Sequence, residues 1–327
     1  MTSSSPLTYS PNMITIVSPI YNEKDNLREL VRQVTQALES CGQTNFEYCL
    51  VENGSTDGSH EVIAELHQQD PRVRMIRLSR NFGHQGAILA GMTHARGEAV
   101  ITLDGDLQHP PSLLPQMIQK WQEGHHVVYT TKREASENGW RKGFKMVFYS
   151  LMSRVSSLKL SYGQSDFRLL DRRVVEVIKS IPEKNIFLRG VVEWLGFSQV
   201  GLSYEVAPRY CGTSKFSLTH YFRFAMDGIF SFSTVPLKFF LFSGLVIAGG
   251  CLLHALWFLL IFIQSMLNGE KVPFPPGWAT LSVSIFFLGA VQLIGIGVLG
   301  EYIARIYTQI KGRPSFVLLE DEADAHL

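Results

Sequence analysis

Asp104-Gly105-Asp106 follows the apolar run Ala99–Leu103 and leads into Leu107-Gln108-His109-Pro110-Pro111. A strand that ends in two carboxylates one residue apart can hold a hard divalent cation, which takes oxygen ligands, keeps waters and is often shared with substrate phosphates. Gln108 adds a third oxygen two residues on. Asp-Gly is also common turn chemistry; the buried strand in front of it favours a metal site at Asp104, Asp106 and Gln108. Such a cation would bridge a diphosphate and offset charge on a leaving group.

Other stretches carry polar side chains suited to the rest of such a substrate. Glu23, in Pro19-Ile20-Tyr21-Asn22-Glu23, can accept from a base or a ribose, or cap a helix together with Asn22; both readings stand. In Glu52-Asn53-Gly54-Ser55-Thr56-Asp57-Gly58, Glu52 and Asn53 can read a base edge or ribose hydroxyls, while Ser55 and Asp57 suit turn and cap positions. Arg80-Asn81-Phe82-Gly83-His84-Gln85-Gly86 opens a helix whose N–H groups, with Arg80, suit an anion; the alternative is a loop that merely turns. Arg209 and Lys215 can clamp a diphosphate, one as a fork and one as a point charge, or contact lipid headgroups. Between Lys132 and Lys159, the bases Lys132, Arg133, Arg141, Lys142, Lys145, Arg154 and Lys159 stand against Glu134 and Glu137. Phe144, Val147, Phe148, Leu151, Met152 and Val155 recur there at helical spacing. This pattern reads as a basic amphipathic helix at an anionic membrane surface.

Alternating strands and helices must position these residues. Strands are predicted at Met13–Ser18, Tyr48–Val51, Val73–Leu78, Ala99–Leu103 and Val127–Thr131. Helical periodicity lies between them, from Leu27 to Leu38, Val62 to Leu66, Gly86 to Ala95 and Ser112 to Gln122. Such alternation implies right-handed crossovers and a mainly parallel sheet covered on both faces. Ligands of such sheets bind beyond the carboxyl ends of the strands. Pro19–Glu23, Glu52–Asp57 and Asp104–Gln108 fall there.

The 327-residue chain has a formal net charge of +1, which excludes nucleic-acid binding driven by overall charge. Cys41, Cys49, Cys211 and Cys251 show no metal-ligand spacing and read as free thiols. Phe239–Ile263 and Leu281–Leu299 carry no formal charge, and either is long enough to cross a membrane. Arg223 and Lys238 precede the first; Arg305, Lys311 and Arg313 follow the second, so both ends are expected in the cytoplasm. The expected organisation is a flexible tail at 1–12, a cytoplasmic catalytic domain at 13–210, juxtamembrane helices at 211–237, a two-helix transmembrane domain at 238–305 and a cytoplasmic tail at 306–327. Gly249, Gly250, Gly295 and Gly297 would permit close helix packing, including in a homo-oligomer.

Together these stretches resemble family-2 glycosyltransferases of GT-A fold. More narrowly they resemble the polyisoprenyl-phosphate glycosyltransferases, a group that includes dolichol-phosphate mannose synthases and bactoprenol glucosyltransferases. The resemblance rests on P-x-Y-N-E at Pro19–Glu23, V-x-x-G-S-x-D-G at Val51–Gly58, R-N-x-G at Arg80–Gly83, D-x-D-L-Q-H-P-P at Asp104–Pro111 and R-x-x-G-x-S-K at Arg209–Lys215. One departure is Asn53, where the family usually has Asp. The resemblance implies a Rossmann-like, mainly parallel α/β domain followed by two transmembrane helices, in the inner membrane. It implies that Asp104, Asp106 and Gln108 hold Mg²⁺ or Mn²⁺ against a nucleotide diphosphate, and that Pro19, Tyr21, Glu23 and Glu52 line the nucleoside pocket. Arg209 and Lys215 then face the diphosphate, while Arg133 and the basic residues Arg141, Lys142 and Lys145 meet a lipid phosphate. Asp166 matches an acidic position near the sugar, as base or as orienting group. The implied reaction is inverting transfer of a hexose, glucose from UDP-glucose first among the candidates, to undecaprenyl phosphate. Mannose, galactose or a modified arabinose, and a non-catalytic membrane-anchored nucleotide-sugar sensor, are the alternatives. A processive synthase is disfavoured because no Q-x-x-R-W stretch is present; the nearest is Glu193-Trp194.

Overall fold

The structure is a computed structural model that describes residues 10–133, 164–183, 187–205, 235–269 and 277–321. The chain divides into two compact units. One comprises Met1–Phe222 with Arg313–Leu327; the other is Arg223–Gly312.

The first unit is built on an eight-stranded sheet. Its strands are β1 (Ser10–Ile20), β2 (Phe46–Glu52), β3 (Val73–Leu78), β4 (Gly97–Thr102), β5 (Val127–Arg133), β6 (Gln164–Asp171), β7 (Gln199–Glu205) and β8 (Leu318–Asp321). They lie in the order β7-β5-β6-β4-β1-β2-β3-β8. β4, β1, β2 and β3 are mutually parallel, and β7 is parallel to β5. β6 is antiparallel to both β4 and β5, and β8 is antiparallel to β3. The α/β, mainly parallel, GT-A-like architecture expected from the sequence is therefore present.

Helices α1 (Lys24–Ser40), α2 (Ser59–Gln69), α3 (Gly83–His94) and α4 (Leu114–Gln122) fill the crossovers. Ile14, Ile16, Tyr48 and Leu50 join Leu27, Leu30, Val34, Ile63 and Met117 in one apolar core. The alternate residues Val17 and Val51 point the other way, against α3, where a Cβ on Gly91 would lie 2.2 Å from Val17 Cγ1. Because both faces are covered, β2 is buried along its whole length, and parallel strands read as apolar runs for this reason. After β6 come α5 (Arg172–Ser180) and α6 (Leu188–Trp194).

Three features differ from expectation. Ser10–Asn12, assigned to a tail, already belong to β1. β6 and β7 were not foreseen. The segment assigned to a C-terminal tail supplies β8: Ser79 N–H donates to the Val317 carbonyl at 2.9 Å, and the Phe316 ring meets His94 edge-on at 6.0 Å.

The second unit contains α7 (Val235–Leu267) and α8 (Trp278–Ile310), each of 33 residues. Among the described residues one stretch, Phe287–Ile310, is long and apolar enough to cross a membrane. Two spans were expected; this single stretch overlaps the second of them, Leu281–Leu299. Cys41 and Cys49 are free thiols.

Candidate active site

The parallel strands end together. Ile20 pairs with Glu52, Glu52 with Arg77 and Val17 with Thr102, so the loops after β1, β2, β3 and β4 leave the same edge of the sheet. Two glycines record how closely they converge. A Cβ on Gly105 would lie 2.8 Å from Ile20 Cδ1 and 3.4 Å from the Pro19 carbonyl oxygen. A Cβ on Gly54 would lie 2.7 Å from Asn81 N and 2.8 Å from the Arg80 carbonyl carbon, and Gly54 has φ +75°. The aspartate loop therefore packs on the loop after β1, and the loop after β2 on the loop after β3.

Two non-glycine residues at this edge, Asn22 (φ 55°) and Leu107 (φ 59°), hold the left-handed backbone region. Strain of this kind costs about 1–3 kcal/mol per residue and persists where surrounding contacts enforce it. Asn22 Oδ1 accepts from Thr56 N–H at 2.8 Å, and Asn22 N–H donates to Ser55 Oγ at 3.1 Å. Beside Leu107, Gln108 N–H donates to Asp106 Oδ1 at 3.1 Å.

Asp104 stands at the centre of a polar chain. Its Oδ1 lies 3.5 Å from His84 Nε2, and the same nitrogen lies 3.5 Å from Asp166 Oδ2. Asp166, on β6 with its side chain 10 % exposed, is gripped by the Arg189 guanidinium, with Nε donating to Oδ1 at 2.7 Å and Nη2 to Oδ2 at 2.8 Å. Burial alone would raise the Asp166 pKa, but the Arg189 charge and hydrogen bonds, with help from His84, hold it well below the ordinary carboxylate value. At His84, burial opposes the charge, yet Asp104 and Asp166 prevail and push the pKa up to about 9. The ring is 42 % exposed, which weakens the opposition from burial.

His109 works from the opposite side. Its Nδ1 accepts from Asp104 N–H at 3.4 Å, and its Nε2 lies 2.8 Å from Ser165 Oγ. The ring stacks on Phe167 at 5.3 Å. Burial lowers its pKa against the pull of Asp104, and the ring bridges the aspartate loop and β6.

Residues 15–179 match the family model described as glycosyl transferase family 2. The SfII prophage-derived bactoprenol glucosyl transferase of Shigella flexneri is 38 % identical over 306 residues, 93 % of this chain and 97 % of that protein. The chain belongs to glycosyltransferase family 2. An uncharacterized glycosyltransferase of Synechocystis sp. is also 38 % identical, over 93 % of this chain and 94 % of its own length. Among solved structures, the mannosyltransferase PcManGT of Pyrobaculum calidifontis, in complex with GDP-Man and Mn²⁺, has a TM-score of 0.48 at 16 % identity, covering 91 % of this chain and 85 % of that one.

The sheet edge gathers several of the expected residues, and some of them have internal partners there. Asp104, Asp106 and Gln108 share one partly exposed turn. Their oxygens are of the kind a hard cation would take. Among the described residues no group of three or more His, Cys, Asp or Glu side chains is placed to hold a metal ion. Tyr21 is exposed and Pro19 half-buried at the same edge. Glu23 stands at the start of α1, its carboxylate accepting from Asn26 Nδ2 at 2.6 Å. Glu52 is only 2 % exposed. Its carboxylate accepts from Ser55 N–H and lies 3.8 Å from Arg77 Nε, so it braces the loop after β2. Asn53 joins two loops: Oδ1 accepts from Phe82 N–H at 2.9 Å, while Nδ2 donates to Asn81 Oδ1 at 3.3 Å and to the Gly83 carbonyl at 3.2 Å. Arg80 stacks its guanidinium over the Phe82 ring at 4.5 Å. Arg133 ends β5; Arg141, Lys142, Lys145, Arg209, Lys215 and the expected basic amphipathic helix lie outside the described residues. Sequence reasoning missed His84, His109 and Arg189. The first two sit inside stretches already singled out, whereas Arg189 is a lone base in an apolar helix with no local signal.

Proposed function

We propose that this chain transfers a hexose, glucose from UDP-glucose by preference, to undecaprenyl phosphate at the cytoplasmic face of the inner membrane. The conjunction that carries the reading is a carboxylate turn at the sheet edge and, in the same chain, the apolar stretch Phe287–Ile310. The name of the Shigella relative, a bactoprenol glucosyl transferase, supports a polyprenyl acceptor and glucose. Phe287–Ile310 anchors the chain, with the uncharged stretch Phe239–Ile263 as a second crossing.

The reaction is a single displacement. An oxygen of the lipid phosphate attacks the anomeric carbon, the carbon–oxygen bond to the diphosphate breaks, and the configuration inverts. A phosphate monoester has its second pKa near ~6, so the acceptor is mostly dianionic at neutral pH and needs no strong base. Asp104, Asp106 and Gln108 would hold Mg²⁺ or Mn²⁺, which when bound would supply charge to offset that of the departing diphosphate. Arg209 and Lys215 face that diphosphate, and Arg133, Arg141, Lys142 and Lys145 receive the lipid phosphate. These cations offset the repulsion between two anionic reactants. Tyr21 and Glu23 border the nucleoside, and His84 stands between the cation site and Asp166.

A donor screen tests this reading. Membranes containing the chain are supplied with undecaprenyl phosphate, Mn²⁺ and labelled nucleotide sugars. The expected result is label in the lipid fraction from UDP-glucose, abolished by a chelator. Absence of lipid label from every donor would overturn the reading, and label from a different donor would overturn the sugar assignment.

A further inference from the structure

The bidentate grip of Arg189 on Asp166 has no task in the displacement just described. Arg189 is the second residue of α6, between Leu188 and Gly190, in a helix whose Leu188, Val191 and Val192 are buried. The start of that helix is tied to α3, because Leu188 N–H donates to Gln85 Oε1 at 3.4 Å. Gln85 directly follows His84. One guanidinium thus links α6 to the carboxylate that shares His84 with Asp104.

Among the described residues, the cationic groups in contact with Asp166 come from α3, α6 and β6 itself, and His109, in the loop after β4, also feels its charge. Arg189 reaches it from α6 and His84 from α3, while Arg168 Nη2, on β6 itself, is 3.9 Å from Oδ1. Arg168 is turned mainly to the Ser165 carbonyl, at 2.9 Å. The Thr102 hydroxyl donates to the Asp166 carbonyl and fixes the backbone. The carboxylate plane is therefore set by the Arg189 fork. A planar fork fixes both oxygens at once, which a single ammonium cannot do.

We propose that Arg189 is a positioning residue, whose fork orients the Asp166 carboxylate as a fixed acceptor for a hydroxyl of the donor sugar. Asp166 then aligns the sugar and does not take a proton from the acceptor. This rests on the glycosyl-transfer reading above.

The test is steady-state kinetics of the full chain in detergent with undecaprenyl phosphate, comparing wild type with Arg189→Gln, Arg189→Lys, Asp166→Asn and the double variant Arg189→Gln/Asp166→Asn. Misplacing a group by about 1 Å costs on the order of 100-fold in rate. Arg189→Gln is expected to lower kcat about 100-fold with the acceptor KM unchanged. Arg189→Lys keeps the charge and loses the fork, and is expected to stay roughly 10-fold or more below wild type. The double variant is expected to be no slower than Asp166→Asn alone. In Arg189→Gln, the largest opposition to burial is gone and only His84 and Arg168 remain to favour the charge, so the acid limb of the rate profile is expected to move to higher pH than in wild type. A merely structural pair would lower the melting temperature without moving that limb. Wild-type kcat and an unshifted profile in Arg189→Gln, or full activity in Arg189→Lys, would overturn the proposal. If Arg189→Gln does not fold, Arg189→Lys and Asp166→Asn still decide it. Failure of the transfer reading looks different, because wild type itself is then inert toward every donor.

Discussion

Asn53→Asp places at this position the residue that the family usually carries, and the structure gives a reason why it is unfavourable here. The side chain is 3 % exposed. Its Oδ1 acceptance from Phe82 N–H survives the change, but its Nδ2 donations to Asn81 Oδ1 and to the Gly83 carbonyl do not. Two hydrogen bonds are lost at about 1 kcal/mol each, and a carboxylate oxygen is left facing two acceptors at a further cost of about 1–3 kcal/mol. The expected loss is about 3–5 kcal/mol, a large share of the roughly 5–15 kcal/mol that holds a domain together. Size and shape are unchanged, so no packing term enters. The penalty also has a sign in pH. Burial and the facing acceptors raise the introduced carboxyl above its unfolded value of about 3.9. The destabilisation is therefore complete above the folded pKa and fades as the pH falls toward the unfolded one. Unfolding followed by tryptophan fluorescence at about pH 7.5 and about pH 5 reads both effects. A variant as stable as wild type at the higher pH, or one whose deficit grows on acidification, would refute the reasoning.

Gly54→Ala puts a Cβ 2.7 Å from Asn81 N in a residue at φ +75°. Backbone cannot move aside as a side chain can, so a loss of about 2–4 kcal/mol is expected from overpacking and left-handed strain together, read as a lowered melting temperature. Ending the chain after Gly312 removes β8 from the edge of β3. The melting temperature of the first unit is expected to fall by about 3 °C or more and its tendency to aggregate to rise, as scattering during the melt would show.

The sheet was legible because its central strands are buried on both faces. Val73–Leu78 is an apolar run broken only by arginines, and the observed β3 has those limits. β6 was not legible for the opposite reason. Ser165, Asp166 and Arg168 alternate with apolar residues, and all but Asp166 are buried because β4 and β5, distant in sequence, flank them. β8 is four residues long and ends in acids, so no periodicity announces it. In the candidate site, Asp104, Asp106 and Gln108 stand out from local spacing alone, and the fold places them on one turn. For Glu52, spacing places it at a strand end, and only the fold shows that its carboxylate accepts from Ser55 N–H. His84 and Arg189 meet Asp166 through α3 and α6, a tertiary encounter that no single stretch of sequence encodes.

The most direct test of the whole account is a calorimetric titration of UDP into wild type and into Asp104→Ala/Asp106→Ala, each with and without Mn²⁺. Wild type is expected to bind UDP at least ~10-fold more tightly with the cation present, equivalent to about 1.4 kcal/mol, and the double variant is expected to show no such gain. An equal gain in both proteins, or none in wild type, would contradict a cation held by this turn.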